Sequence, residues 1–249
     1  IRHAQSANNA LYALNGTEDG RVADPPLTEI GHRQAQLLAR FLVAPSEVSS
    51  DGQSLAGWHA ARHDRWGFDL THLYCSLMLR AVQTGGYVAE ATGLPLVAWP
   101  EVHERGGLHQ IDTATGEDRG VPGPNRAWFA AEYPGLALPG DLGERGWWDR
   151  PMELVDEAIP RARRVWAQLL ERHGSTDDHV AVVTHGGFFQ SLMTVLLSLE
   201  ADRAADLWPA AVFFGMSNAS VSRFEINGGS VVVRYLNRVD FLPDELITG

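Results

Sequence analysis

Residues Val180–Leu199 read VAVVTHGGFFQSLMTVLLSL. This is the most membrane-like stretch of the chain, yet His185, the Gly186-Gly187 pair and Gln190 interrupt it. A membrane span needs about 20 predominantly apolar residues without such breaks. The stretch therefore reads as a buried strand starting at His179, a turn, and a buried helix over Phe188–Leu199. A strand that feeds a helix through a tight polar turn is the repeating unit of α/β proteins.

The pattern recurs upstream. Thr71–Ser76, THLYCS, reads as a short strand and Arg80–Ala91 as the helix after it, stopped by Gly93 and Pro95. Leu96–Trp99 is a further strand. Leu27–Val43, LTEIGHRQAQLLARFLV, is amphipathic at helical spacing, with Thr28 as its N-cap. Met152–Arg172 predicts a long helix, with Pro160 early in it as a kink or a restart. Val212–Phe214, Ser220–Ile226 and Ser230–Leu236 are expected to close the sheet, the last two joined by an Asn227-Gly228-Gly229 hairpin turn.

Two segments carry no such period. Residues 44–68 are polar, with Pro, Ser and Gly, and read as an insertion. Residues 105–150 are rich in Gly, Pro and Trp and read as a loop-rich cap. The expected fold class is therefore α/β: a three-layer α/β/α sandwich with a mostly parallel central sheet and a loop-rich cap. Residues 1–249 are expected to form a single domain with those insertions.

Composition narrows the function. Hydrophobic residues make up 45% and charged residues 20%, which are globular values. The net charge of −11 argues against a nucleic-acid or membrane-surface binder. It leaves room for a small anion held by a few converging cations. The one cysteine, Cys75, excludes an intramolecular disulfide and a multi-cysteine metal site, and a cytoplasmic location is expected. No signal peptide is visible within the sequence.

Ligands of open α/β sheets sit beyond the carboxyl ends of the strands. Arg2-His3 follows what reads as the last residue of a strand, Ser76 and Arg80 follow THLYCS, and His185-Gly186-Gly187 follows HVAVVT. Histidines and arginines thus converge from separate parts of the chain. Guanidinium forks match phosphate oxygens, an unprotonated imidazole among them can attack phosphorus, and a helix start adds a favourable dipole.

Arg2-His3-Ala4-Gln5-Ser6-x-x-Asn9 resembles the Arg-His-Gly-(Glu/Gln)-(Thr/Ser)-x-x-Asn signature of the histidine phosphatase superfamily, the phosphoglycerate-mutase-like enzymes. Leu27-Thr28-Glu29-x-Gly31-x-x-Gln34-Ala35, Ser76-x-x-x-Arg80-Ala81-x-Gln83-Thr84, Val102-His103-Glu104-Arg105, Val183-Thr184-His185-Gly186-Gly187 and Ser217-Asn218-Ala219-Ser220 resemble its later segments in the same order. The resemblance implies roles. His3 would be the nucleophile, and Arg2, Arg80 and His185 would bind the phosphoryl group. Asn9 would add a hydrogen bond. Glu104 would protonate the leaving oxygen and then take a proton from water. Glu101, three residues earlier, could also reach the site if the loop turns. Arg105, His109 and Gly186 are the further substrate contacts. No metal or other cofactor is called for, because protein cations neutralise the phosphoryl charge.

Position 4 is Ala where Gly is commonest in the signature. The mutase branch is expected to carry Phe-x-Gly-Trp-x-Asp after the first motif, and here the interval reads ALYALNGTEDGRVADPP without the aromatic pair. The expectation is a metal-independent, acid-type phosphatase acting on a small organic phosphate. A phosphoglycerate-type mutase and a non-catalytic phosphate-binding module are the alternatives. His59 and His63 could place two imidazoles on one helix face, but the intervening Glu of a His-Glu-x-x-His site is missing. The tryptophans of the cap form either a lid over the substrate or a small satellite core. Ile1 is expected at the end of a central strand, so either residues are missing upstream or that strand is short.

Overall fold

The computed structural model describes residues 1–17, 19–43, 67–111, 115–197, 213–227 and 230–249. His59, His63 and most of the first insertion lie outside the described residues. In chain order the elements are α1 (Ala7–Asn15), α2 (Glu29–Val43), β1 (His72–Cys75), α3 (Leu79–Thr92), β2 (Leu96–Ala98), β3 (His109–Ile111), β4 (Asp118–Gly120), α4 (Arg126–Glu132), β5 (Leu136–Ala137), α5 (Val155–His173), β6 (Val180–Val183), α6 (Gly186–Leu196), β7 (Val221–Asn227) and β8 (Ser230–Arg238).

The central sheet runs β5-β2-β1-β6 with every neighbouring pair parallel. Alternation along its strands sends side chains to two faces. Leu73, Cys75, Leu96, Ala98, Ala181 and Val183 pack with Ala35, Leu38 and Leu42 of α2 and Ala81, Val82 and Val88 of α3. Tyr74, Val97, Val180 and Val182 face the other way, onto Ala162 and Val165 of α5 and Phe188 of α6. Helices therefore cover both faces and the sheet is the middle of three layers. The membrane-like stretch divides as its polar turn dictates, into β6 and the 11-residue α6. No helix among the described residues is long and apolar enough to cross a membrane.

Residues 1–3 extend this sheet beyond β6. The Thr184 N–H donates to the Ile1 carbonyl (2.8 Å) and the His3 N–H to that of Thr184 (2.9 Å). On the opposite side the Arg2 N–H donates to Ser220 (3.0 Å) and the Ala219 N–H to His3 (3.1 Å). Ile1-Arg2-His3 thus lies between the end of β6 and the start of β7.

Several elements depart from the expected pattern. The cap contributes β5, which completes the parallel sheet; two residues are too short to show a period. Phe213 and Phe214 are not in a strand, and β7 and β8 form their own antiparallel ribbon. Helix α1 was hidden in the first motif, where Ser6 and Asn9 close a capping box. Pro160 sits early in α5 without ending it. Within the cap, Trp148 packs on Met78 and Leu108 as a satellite core.

Candidate active site

Helices α2 and α3 grip the backbone just after His3. The Gln5 N–H donates to Gln34 Oε1 (2.7 Å), the Thr28 N–H donates to the Gln5 carbonyl (3.0 Å), and the Ala4 N–H donates to Thr84 Oγ1 (3.0 Å). A Cβ on Gly31 would stand 2.1 Å from the Gln5 carbonyl oxygen, so this approach requires glycine. Ala4 is fully buried and lies outside the left-handed region, which is why alanine serves there.

The His3 ring is oriented by two bonds. Nδ1 lies 2.7 Å from the Ala4 carbonyl oxygen, an acceptor, so Nδ1 carries the proton. Nε2 then holds the lone pair and accepts from Arg80 Nε (3.2 Å). Burial, then the charges of Arg80 and Arg2, push His3 well below its usual range, so the ring is neutral. The His185 ring lies 5.0 Å away, centroid to centroid. Ser76 Oγ accepts from the Met78 N–H (3.3 Å) and lies 2.7 Å from His185 Nε2. Burial, then Arg80, hold this ring neutral too. His185 Nδ1 and Arg2 Nε are buried and have no partner among the described residues. Buried polar groups are normally satisfied, so two unpartnered nitrogens beside a histidine lone pair could receive an acceptor-rich anion.

Glu104 sits at the start of α6. Its carboxylate accepts from the N–H groups of Gly187 (3.1 Å), Phe188 (2.9 Å) and Arg105 (2.8 Å), an arrangement the helix dipole favours. A Cβ on Gly187 would stand 2.5 Å from Glu104 Oε1, so glycine at 187 makes room for the carboxylate. At Gly186 a Cβ would meet only Arg2 Nε at 3.8 Å. Glu101 points elsewhere, with its oxygens on Arg164 (3.3 Å) and Gln168 (2.8 Å) of α5. The loop between the two acids is clamped by the fully buried Arg161, which bonds the carbonyls of Glu101 and His103 and pairs with Glu153.

Asn9 Oδ1 accepts from the Ser6 N–H (3.1 Å) and from Asn218 Nδ2 (3.2 Å), tying α1 to the segment before β7. His109 is buried in β3, with Nδ1 on Asp118 (2.8 Å) and Nε2 on an Arg21 N–H (2.8 Å). Arg105 flanks Glu104, its Cβ within 3.2 Å of where one on Gly187 would lie.

Two contributors, Asp24 and Arg21, escaped the sequence reading, and a third, Asn218, was given no role there. Asp24 accepts from the Leu79 N–H (3.0 Å) at the start of α3 and lies 4.0 Å from Arg80. Burial raises it to about 6 against the pull of Arg80. Arg21 lies close enough to Arg80 to lower it electrostatically. Asn218 joins Asn9 to the His3 carbonyl (3.4 Å). The only signal for Asp24 was an acid ahead of Pro25-Pro26 and the Thr28 cap; Arg21 gave none, and Asn218 stood in the Ser217-Asn218-Ala219-Ser220 segment without a role assigned to it.

The family model of the histidine phosphatase superfamily (branch 1) matches residues 45–239. Residues 2 and 3 fall outside that match and join the site through the contacts above. Among solved structures, a mycobacterial glucosyl-3-phosphoglycerate phosphatase superposes with a TM-score of 0.54 at 20% identity, covering 96% of this chain and 96% of its own. A phosphoserine phosphatase mutant from Entamoeba histolytica, in complex with phosphoserine, gives 0.55 at 16% identity over 98% and 97%. A putative α-ribazole-5′-P phosphatase from Escherichia coli gives 0.55 at 20% identity over 96% and 94%. At these identities the likeness is one of fold. No curated protein matches this sequence.

Proposed function

The chain belongs to the histidine phosphatase superfamily (branch 1), and from that premise we propose that it is a phosphomonoester hydrolase working through a phosphohistidine on His3. The observation that carries this reading is the pair of buried, unpartnered nitrogens, Arg2 Nε and His185 Nδ1, beside a neutral imidazole whose lone pair is held at Nε2. We take residues 1–249 as one domain.

In the proposed reaction the substrate phosphoryl group displaces Arg80 from His3 Nε2. Arg80, Arg2 and His185 then donate to its oxygens. Nε2 attacks phosphorus as the bond to the leaving oxygen breaks, and Glu104 delivers a proton to that oxygen. Water next attacks phosphorus, its proton passes to Glu104, the N–P bond breaks and inorganic phosphate leaves. The arginines and the histidine donor stabilise the spread negative charge of both transition states, so no step calls for a metal. Asn9, Arg105, Gly186 and His109, the last acting through Arg21, line the approach and contact the rest of the substrate. The substrate is a small organic phosphate, the class to which phosphoserine and glucosyl-3-phosphoglycerate in the neighbours' names belong. Cys75 is a buried free thiol, which suits a cytoplasmic enzyme.

Turnover of a chromogenic aryl phosphate between mildly acidic and neutral pH, with chelator present, tests the reading. Activity should survive the chelator and fall on the order of 10³-fold or more in His3→Ala. Loss of activity to the chelator would place the reaction on a metal. Exchange between 2- and 3-phosphoglycerate faster than phosphate release would make the protein a mutase, and phosphate-ester binding without turnover would make it a binding module.

A further inference from the structure

The opposite end of the central sheet carries its own cluster. His72 opens β1, His173 ends α5, and Asp178 lies in the connection from α5 to β6. Each offers one ligand atom, and these atoms all lie within 4.8 Å of one another. β1 separates them from Ser76 and the histidine pair by the length of a four-residue strand, about 13 Å at 3.3 Å per residue. We propose that His72, His173 and Asp178 form a binding site for a divalent transition-metal ion of the zinc class, separate from the phosphoryl site.

The chemistry of the donors selects the ion. Two imidazoles and one carboxylate suit zinc, nickel or copper and are poor ligands for magnesium or calcium, which prefer oxygen. In a tetrahedral zinc site, bonds of about 2.0–2.2 Å set neighbouring donors about 3.4 Å apart. His72 Nδ1 and Asp178 Oδ1 already stand 3.6 Å apart. His173 Nδ1 lies 2.8 Å from the other oxygen, Asp178 Oδ2, sharing a proton that the metal would replace; with one oxygen as ligand, the three donors, now within 4.8 Å of one another, reach that spacing by small side-chain rotations. The Thr71 hydroxyl, held by the His179 backbone, stands 2.9 Å from His72 Nδ1 and 3.5 Å from Asp178 Oδ1, and a water would complete the fourth corner.

An outer layer fixes two of the ligands, as metal sites require. The Tyr74 hydroxyl meets His173 Nε2 at 3.1 Å, which leaves Nδ1 for the ion. The Thr176 hydroxyl donates to Asp178 Oδ2 at 2.7 Å. The His173 side chain is 8% exposed, whereas that of His72 is 41% exposed and opens the way in. Arg172, the cation next in sequence, is stacked over the Trp99 ring at 4.4 Å. The chain's net charge of −11 attracts cations generally. Because the ligands come from a strand, a helix end and a connection, the ion would staple three elements and stabilise the fold.

Zinc and cobalt titrations of chelator-stripped protein against a competing chromophoric chelator test this, alongside His72→Ala and Asp178→Asn. Wild type should show one site at least about tenfold tighter than any site left in either variant, with visible cobalt absorption of a tetrahedral centre. Zinc should raise the melting temperature of wild type and of neither variant. Phosphatase activity should be equal in all three proteins, which separates this site from the proposed reaction and shows that the variants fold. Equal zinc affinity and stoichiometry in wild type and the folded variants would overturn the proposal. A wild type that binds no zinc would reduce the cluster to a histidine–aspartate ion pair.

Discussion

His3, His103 and His185 are buried residues whose ionisation is displaced in the same direction. Burial and neighbouring arginines hold His3 and His185 well below 6.5, and burial followed by Arg161 lowers His103 to about 2. In the unfolded chain each takes up a proton near pH 6.5. Below that pH the unfolded state therefore binds more protons than the folded one, and stability falls as pH falls toward the depressed folded values. Asp24 works with the opposite sign: raised to about 6, it favours the folded state as pH falls from 6 toward 3.8. Three groups against one predict a melting temperature that declines steadily from pH 7 to pH 4 in calorimetric scans. A flat or rising profile would contradict the neutral-histidine assignment. Arg2, His3, Arg80 and His185 were legible in the sequence because each stands just past a strand end, in a motif with glycine or small residues. Glu104 could not be separated from Glu101 there. Arg164 and Gln168, which draw Glu101 away, come from a helix some sixty residues later.

Among the elements, α6 bears most directly on the chemistry. Its first turn supplies two of the N–H groups that hold Glu104, and its glycine at 187 exists to admit that carboxylate. Gly187→Ala should leave the helix intact, since alanine is the better helix former by about 1 kcal/mol. The new methyl group would displace the Glu104 carboxylate from the N–H groups that hold it. We predict that kcat on alkyl phosphates falls about 10²-fold, with a smaller loss on aryl phosphates, whose leaving groups need less help from an acid. The two can be compared by steady-state kinetics, with circular dichroism to check folding. Equal kcat on both substrates in mutant and wild type would remove Glu104 from the acid role. The long elements α2, α3 and α5 were readable from their periodicity and the Thr28 cap. The cap hairpin β3–β4 and strand β5 were not, because elements of two or three residues are made by tertiary pairing rather than local pattern.

At the scale of the molecule, an acidic chain brings scattered cations and imidazoles to one end of a parallel sheet. The three-layer order was legible because strand–turn–helix units stand at Cys75 and Val183 with apolar faces that alternate as required. The placement of residues 1–3 between β6 and the start of β7 was not, since a stretch of three residues has no period. That placement brings the Arg2-His3 pair beside His185 and Arg80. The central claim is that His3 carries the phosphoryl group, and trapping the intermediate tests it most directly. Protein mixed with ³²P-labelled aryl phosphate and quenched in alkali within milliseconds should hold label that is stable to base, labile to acid, and located on the peptide that carries His3. His3→Ala should hold none. Label that persists in His3→Ala, or a wild type that turns over substrate yet never holds label, would contradict the account.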